Sequence, residues 1–140
     1  MAEKSIVKTL EQGRASQAYQ AYEYVRAAIS QLGDKAKDYK SYVKKMPVMI
    51  KTNGLGQTMA FIKSKSKDKG NAYGMIYEQL GKWLRECPNS VIQGEGDEIV
   101  KSIINLDSKE YRVATAETLS LLNWLRRFAD GMIEGEGDES

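Results

Sequence analysis

The chain has no histidine and only one cysteine, Cys87, among its 140 residues. Without histidine, a Ser-His-Asp triad and a histidine-based metal site are both excluded. One cysteine cannot form a disulfide within the chain, and its place beside Pro88 at a predicted helix end indicates an inert structural thiol. Acid–base chemistry would therefore fall to carboxylates, and these concentrate in glycine-rich segments that we expect to be mobile.

Proline and long apolar runs are also scarce. Two prolines among many helix-forming residues predict an all-α chain. The sequence has no apolar run of about 18 residues and no signal-peptide core, so we expect a soluble, cytoplasmic protein without a membrane segment. We predict a single-domain antiparallel bundle of about six helices over residues 1–133, followed by a disordered acidic tail over residues 134–140.

Positive charge is concentrated in the middle of the chain. Between Asp34 and Lys69 there are ten lysines and three aspartates, whereas the whole chain has a net charge of +2. The ten are Lys35, Lys37, Lys40, Lys44, Lys45, Lys51, Lys63, Lys65, Lys67 and Lys69. Such a run is typical either of a solvated surface or of a face that contacts phosphates.

Negative charge is concentrated in the second half. Up to Arg85 the sequence has sixteen Lys/Arg and seven Asp/Glu, and from Glu86 onward it has five and twelve. The two parts carry +9 and −7, which suits binding of a polyanion, binding of a basic partner, or head-to-tail stacking of copies. We expect the isolated protein to be a monomer, because screened surface charges give little affinity at physiological salt.

Helical periodicity and helix-ending residues divide the first half. A helix is predicted over residues 3–32, with a heptad seam of apolar side chains. The seam consists of Ala18, Tyr22, Val25, Ile29 and Leu32. In the basic stretch we predict one helical piece up to Pro47, a second piece beginning there, and a stop at Asn53-Gly54. Another apolar stripe begins at Leu55.

The second half contains further predicted helices. Asn71 is a suitable cap for a helix that reaches Arg85 and ends before Pro88, and residues 90–98 predict a loop. The β-branched run at 99–106 predicts a short buried helix, since a strand would have no partner.

The last long helix has its own start signal. Asp107 followed by Glu110 resembles a capping box, and the helix is predicted to run to about Met132. Its apolar residues cover so wide an arc that it should be central to the bundle, and Leu122 and Trp124 should not both be exposed.

Two short sequences recur at a distance of 41 positions. Residues 83–85 (WLR) and 94–98 (GEGDE) return as residues 124–126 and 135–139. The repetition indicates either chance similarity of helix ends or two units, each a helix followed by an acidic segment, that pack in similar ways. A calcium loop is not indicated, because the D-x-D-x-D-G spacing is absent.

Motifs for catalysis and for base-specific recognition are absent. Gly54-Leu55-Gly56 lacks the spacing of a phosphate-binding loop and predicts a helix stop followed by close packing. The residues alone therefore indicate a helical, basic-faced binding module that is not an enzyme. A metal-dependent nuclease built on the acidic segments is the enzymatic alternative.

Several segments together resemble one known family. They are residues 41–47 (SYVKKMP), 53–61 (NGLGQTMAF), 77–84 (YEQLGKWL), 111–117 (YRVATAE) and 121–129 (LLNWLRRFA). In combination they are similar to the small all-helical subunit of the type III-B CRISPR–Cas effector, the Cmr complex. The resemblance extends over about residues 5–132.

This resemblance implies a structural role in antiviral defence, with no enzymatic activity and no cofactor. More than one copy would stack in an inner filament beside the backbone subunits that hold the guide RNA. The basic face would lie along the paired guide and target RNA and contact their backbone. The alternative function is a small helical scaffold or adaptor that does not contact RNA.

We predict that basic residues near the breaks at Pro47 and Gly54, with a basic pair in the last helix, contact RNA. They are Lys44, Lys45, Lys51, Lys63, Lys65, Arg126 and Arg127. For Arg127 the alternative is an ion pair with an acid of the first helix. Residues 63–69 are alternatively a frayed, solvated helix end.

Overall fold

A computed structural model describes residues 2–66, 71–87, 90–94 and 96–135, with side chains from residue 16 onward except that of Asp97. The α-helices are α1 (Ala2–Leu32), α2 (Ala36–Asn53), α3 (Leu55–Lys65), α4 (Ala72–Glu86), α5 (Asp97–Ile104) and α6 (Ser108–Met132). No strand occurs in these ranges, so the all-α prediction is confirmed. Most of the predicted disordered tail, residues 136–140, lies outside the described residues.

All six helices contribute side chains to one buried core. Its largest fully buried side chains are Tyr39, Met46, Leu55, Met59, Ile62, Ile76, Leu80, Leu84, Ile103, Leu121, Leu122 and Leu125. Three of these belong to α6, and Leu122 is fully buried, as the sequence predicted for a central last helix. Within the described ranges, no helix has the length and apolar character needed to cross a membrane.

Aromatic and polar contacts join α2 to α4. The Tyr39 hydroxyl donates to Oε1 of Gln79 at 2.6 Å, and the ring of Tyr42 stacks on that of Tyr73 with centroids 3.8 Å apart. Because later residues of α2 contact earlier residues of α4, these two helices run antiparallel. The apolar stripe of α2 is thus buried on one side, and Lys37, Lys44 and Lys51 lie outside it and are exposed.

Pro47 does not divide the basic stretch into two helices, so that prediction was wrong. Proline lies inside α2, which continues unbroken from Ala36 to Asn53. Its ring removes one backbone donor, but Val43, Met46 and Ile50 on both sides of it are buried against the core. Burial of the same stripe before and after the proline stabilises the continuous helix more than the missing hydrogen bond destabilises it.

The predicted heptad seam of α1 is displaced. The buried residues are Gln17, Ala21, Tyr24, Val25, Ala28 and Leu32, whereas Tyr22 is 38 % exposed. The α1 helix packs mainly on α6, where Tyr22 meets Phe128 edge to face at 5.7 Å and Ser120 donates to Gln17. Because α1 also contacts α2 and α4, its buried face is wider than the narrow apolar stripe of a coiled coil.

The glycines of the 53–61 segment form the junction between α2 and α3. Gly54 has φ of 89°, a conformation that favours glycine, and its N–H closes α2 on the Ile50 carbonyl. The Gly56 N–H donates to the Tyr111 hydroxyl of α6 at 2.9 Å, and a Cβ on Gly56 would come within 3.3 Å of Ile104. The predicted end of the helix at Gly54, followed by close packing at Gly56, is confirmed. This junction holds α3 close to α2.

Both predicted N-terminal caps are present. The Asn71 side chain accepts from the Tyr73 N–H at 2.7 Å and begins α4. Asp107 and Glu110 form the reciprocal capping box that begins α6.

The helix predicted within 99–106 is present, but α5 spans Asp97–Ile104, so it begins two residues earlier and ends two residues sooner. It is buried through Ile99 and Ile103, whereas Ile104 is exposed.

Candidate nucleic-acid interface

Four lysines of α2 lie on one side of that helix. Lys37, Lys40, Lys44 and Lys51 fall within about 60° of arc at 3.6 residues per turn. Lys40 is half-buried, and the other three are exposed. We call this set the lysine row.

The first part of the lysine row contacts the end of α6. Lys44 Nζ lies 2.8 Å from the Asp130 carboxylate, and Lys40 Nζ donates to the carbonyls of Ile133 at 3.0 Å and Gly135 at 3.2 Å. A Cβ on Gly135 would lie 3.8 Å from Cδ of Lys37. The lysines therefore meet the negative end of the α6 dipole, where cations are favoured.

The basic pair of α6 lies beside the same row. Lys40 is opposite Ile133 and Lys44 is opposite Asp130, so α2 and α6 are antiparallel. This register places Arg126 level with position 48, between Lys44 and Lys51. Arg126 and Arg127 are both exposed, and neither forms a salt bridge with any side chain that the structure describes.

Three other predicted lysines lie around aromatic rings at the junction of α2, α3 and α4. Lys45 Nζ is 4.9 Å from the ring centroid of Tyr42, Lys65 Nζ is 5.7 Å from that of Phe61, and Lys63 Nζ is 5.2 Å from that of Tyr77. Phe61 is 36 % exposed and meets Tyr73 edge to face. We call these three lysines and their rings the aromatic cluster.

The seven predicted residues thus occupy two surfaces. Lys44, Lys51, Arg126 and Arg127 lie on the α2–α6 side, and Lys45, Lys63 and Lys65 belong to the aromatic cluster. Sequence reasoning did not place Lys37 and Lys40 in the site. Their helical spacing with Lys44 and Lys51 was the signal that could have identified them.

The buried polar groups are arranged for stability rather than for reaction. Burial raises the pKa of the Cys87 thiol, chiefly by desolvation and next through the Glu117 charge, so the thiolate nucleophile is disfavoured. Desolvation likewise raises the pKa of Tyr24 to about 12, and it also raises the pKa of Tyr39. In the part of the chain that is described, no three His, Cys, Asp or Glu side chains are grouped as metal ligands.

The fold and its surface define a small all-α protein with a basic outer face and an extensive buried core. A family model described as CRISPR-associated protein (Cas_Cmr5) matches residues 10–132. The chain is also similar to a CRISPR-associated Cmr5 family protein from Thermus thermophilus of known crystal structure. That match has 27 % identity and a TM-score of 0.68, and covers 87 % of this chain and 97 % of the other.

The chain therefore belongs to the Cmr5 family of CRISPR-associated proteins. The resemblance found in the sequence is confirmed, and the protein is a small subunit of the type III-B CRISPR Cmr system.

Proposed function

We propose that this protein is a non-catalytic structural subunit of the Cmr complex whose lysine row and arginine pair contact the backbone of guide or target RNA. Further copies and the other Cmr subunits would be its protein partners, in cytoplasmic antiviral defence. The aromatic cluster, with Lys45, Lys63 and Lys65, would be a second contact surface. This proposal retains all seven basic residues predicted from the sequence and adds Lys37 and Lys40.

The observation that carries the proposal is the shape of the basic surface. From Lys37 to Lys51 the row extends about 21 Å along α2, and Arg126 and Arg127 lie beside it. A straight row of this length can follow several successive phosphates of one strand. Lysines that contact phosphates position a strand without reading its bases. This suits an RNA-guided complex, in which base pairing supplies the sequence specificity.

The direct test replaces Lys51, Arg126 and Arg127 together by alanine. All three are exposed and form no salt bridge with a described side chain, so the substitutions remove charge without breaking an observed ion pair. Weak RNA binding should weaken further, equally for two unrelated single strands. The log–log salt slope should fall by about 0.7 per lost phosphate contact, or about 2 in total. Fluorescence anisotropy at several salt concentrations measures both quantities.

The matched control replaces Lys82, Lys109 and Arg112 by alanine. These residues are exposed, and they belong to neither the lysine row nor the aromatic cluster. The charge change is the same, so a comparable loss of affinity would show that only net charge matters. Unchanged RNA binding by the Lys51/Arg126/Arg127 variant, with complex assembly intact, would favour the scaffold function.

The Lys44→Ala/Lys45→Ala variant is a less direct test of the same proposal. It should lower the salt slope by roughly 1 to 1.5 if both lysines contact phosphates. However, Lys44 is paired with Asp130 and Lys45 lies over Tyr42, so this variant also changes contacts within the protein. Its thermal stability must therefore be measured beside its RNA affinity.

The opposed charges of the two halves support head-to-tail stacking of copies within the complex. Alone, the protein should sediment as a monomer at physiological salt, because exposed ion pairs contribute little. A tight dimer that is insensitive to salt would contradict this and would indicate an apolar interface.

The non-catalytic role is supported by the burial of Cys87, which raises the pKa of its thiol and so disfavours the thiolate nucleophile. Purified protein incubated with RNA and magnesium or manganese should leave the RNA intact. RNA-cleaving activity that co-purifies with the protein would instead favour the nuclease alternative.

A further inference from the structure

Three aromatic rings are in contact where α1 lies against α6. The rings of Trp124 and Phe128, both half-buried, are stacked with centroids 5.9 Å apart, and Phe128 meets Tyr22 edge to face at 5.7 Å. Ser120 donates to Gln17 at an earlier level of both helices, so α1 and α6 run parallel. Tyr22 is 38 % exposed, and the set of rings therefore reaches the surface on the α1 side.

Tyr19 extends this set of rings along α1. It is 66 % exposed, the largest fraction among the bulky apolar and aromatic side chains in the described ranges. Tyr19 and Tyr22 are three positions apart, so they lie within about 60° of arc on one side of the helix. In the parallel packing of α1 and α6, Tyr19 falls at about the level of Trp124. We call Tyr19, Tyr22, Trp124 and Phe128 the aromatic strip.

An arginine of α1 lies at the surface beside these rings. The guanidinium carbon of Arg26 is 5.8 Å from the ring centroid of Tyr22. Its neighbouring carboxylate, that of Glu23, is 4.0 Å away, and the two side chains are 61 % and 40 % exposed. An exposed ion pair of this kind contributes little, so Arg26 can exchange the carboxylate for another anion.

A second arginine connects the aromatic strip with the lysine row. Arg127 is exposed and lies one turn after Trp124 on α6. It is about 60° of arc from Trp124 on one side and about 60° from Asp130 on the other. Asp130 contacts Lys44 of the lysine row. The aromatic strip and the row are therefore neighbouring surfaces with Arg127 between them.

We propose that the aromatic strip binds unpaired bases of single-stranded RNA, which stack on Tyr19 and Tyr22 while Arg26 and Arg127 contact adjacent phosphates. Proteins that bind single strands use aromatic rings as stacking platforms and basic side chains beside them for the backbone. The exposed residues here are two tyrosines and two arginines, which match a ligand with flat aromatic faces and negative charge. An aliphatic protein surface would match the rings but not the arginine charges.

This inference rests on the proposed function in taking RNA as the ligand, and it adds a contact to the bases that the lysine row does not make. Tyr19 is the residue to change, because a ring so exposed contributes little to the core. Tyr19→Ala removes the ring, and Tyr19→Phe keeps the ring without its hydroxyl. The matched control is Ile104→Ala, because Ile104 is 64 % exposed and belongs to α5, which packs mainly on α3.

The probes are a single-stranded oligoadenylate of about 20 nucleotides and an abasic strand of the same length, which has the phosphates without the bases. Fluorescence anisotropy at several salt concentrations measures the affinity and the salt slope. Tyr19→Ala should lower the affinity for oligoadenylate about five- to fiftyfold, because it removes a stacked base contact. The salt slope should stay the same, since no phosphate contact is lost. Tyr19→Phe and Ile104→Ala should bind within about twofold of the original protein.

The abasic strand shows whether the Tyr19 ring acts through bases. All four proteins should bind it equally, and an equal loss by Tyr19→Ala on both probes would overturn the inference. Unchanged binding of oligoadenylate by Tyr19→Ala would also overturn it. If that variant instead loses other Cmr subunits on purification of the complex, with RNA binding unchanged, the strip is a protein interface.

The Lys51/Arg126/Arg127 variant separates this inference from the proposed function. That variant should lose affinity for both probes, because it lacks phosphate contacts. If it does so while Tyr19→Ala has no effect, the proposed function stands and the base contact fails. If only Tyr19→Ala loses affinity, and only for oligoadenylate, the strip binds RNA and the proposed phosphate contacts fail. Absence of binding of either probe by the original protein would overturn both.

Discussion

Helices α4 and α6 are two similar units within the bundle, each followed by the same acidic sequence. Residues 41 positions apart have matching environments: Leu84 and Leu125 are fully buried, and Ile92 and Ile133 are each 5 % exposed. The match ends at the helix boundaries: α4 ends at Glu86, whereas the equivalent residue of α6, Arg127, lies inside a helix that continues to Met132. The two units therefore share buried positions but differ in helix length.

The similarity extends to the backbone where each acidic sequence begins. Gly94 and Gly135 have φ of 88° and 89°, and each glycine carbonyl accepts a hydrogen bond from a cation at 3.2 Å. For Gly94 the donor is Arg85, from the preceding helix itself. For Gly135 the donor is Lys40, from α2.

The difference lies in what surrounds the start of each acidic sequence. After the first glycine the chain leads into α5, and the Tyr77 hydroxyl donates to the Gly96 carbonyl, so that sequence is built into the bundle. Gly135, by contrast, lies beside the lysine row. The same five-residue sequence thus leads into a helix in one place and starts beside a basic surface in the other, because the neighbours differ.

The largest expected effect tests the equivalence of the two units. Leu84→Ala and Leu125→Ala should each lower the free energy of unfolding by about 2–5 kcal/mol, because both side chains are fully buried. Urea denaturation followed by circular dichroism measures both. A cost below about 0.5 kcal/mol for either leucine would show that its unit is not part of the common core.

The next prediction concerns the polar residue five positions before each leucine. Gln79 accepts from Tyr39 and donates to the Tyr24 carbonyl at 2.9 Å, in the interior, whereas the equivalent Ser120 is exposed and donates to Gln17. Gln79→Ala should cost about 1–3 kcal/mol, because the buried Tyr39 hydroxyl loses its partner. Ser120→Ala should cost less than about 1 kcal/mol. Equal costs in thermal unfolding would contradict this asymmetry.

A smaller difference is expected for the two glycines. A Cβ on Gly94 would clash with Glu98, whereas on Gly135 it would make an ordinary contact with Lys37. Gly94→Ala should therefore cost about 1–3 kcal/mol, from positive φ together with the clash. Gly135→Ala should cost less than about 1 kcal/mol, because its chain is exposed and can relax. Gly94→Ala should therefore have the lower melting temperature of the two variants. The reverse order would contradict this prediction.

Local signals in the sequence were enough for several parts of the fold. Asn71, Asp107 and Gly54 act on their own neighbouring residues, and all three helix boundaries were predicted correctly. Pro47 was interpreted wrongly because the burial that holds α2 continuous involves residues distant in sequence. The seam of α1 was displaced for a similar reason, since the helices that pack on it decide which side is buried.

The candidate site was predictable in composition but not in arrangement. Lys44 and Lys45 are adjacent in sequence, yet they lie about 100° apart around α2. One is therefore beside Asp130 and the other over Tyr42. The carbonyls that Lys40 contacts are 93 and 95 positions away in sequence, so no local pattern could indicate them.

The smallest expected effect concerns the two cations that hold the glycine carbonyls. Lys40→Met keeps most of the aliphatic packing and removes the charge, so it should cost about 0.3–1 kcal/mol at low salt. Added salt should reduce this cost, because the Lys40 contact with Gly135 is exposed and screened. Thermal unfolding at two salt concentrations, beside Arg85→Met, makes the comparison. Arg85→Met should lower the free energy of unfolding by at least as much as Lys40→Met. The reason is that the segment beginning at Gly94, which Arg85 contacts, leads into α5.

The outcome for Lys40 has two informative extremes. A cost above about 2 kcal/mol, insensitive to salt, would mean that Lys40 is a buried structural cation, and the end of α6 would then be a fixed part of the core. No cost at low salt would mean that the contact with Ile133 and Gly135 contributes nothing, and the acidic sequence would lose its anchor beside the lysine row. A small, salt-sensitive cost is the result expected for a partly exposed contact that holds the chain after α6 in place.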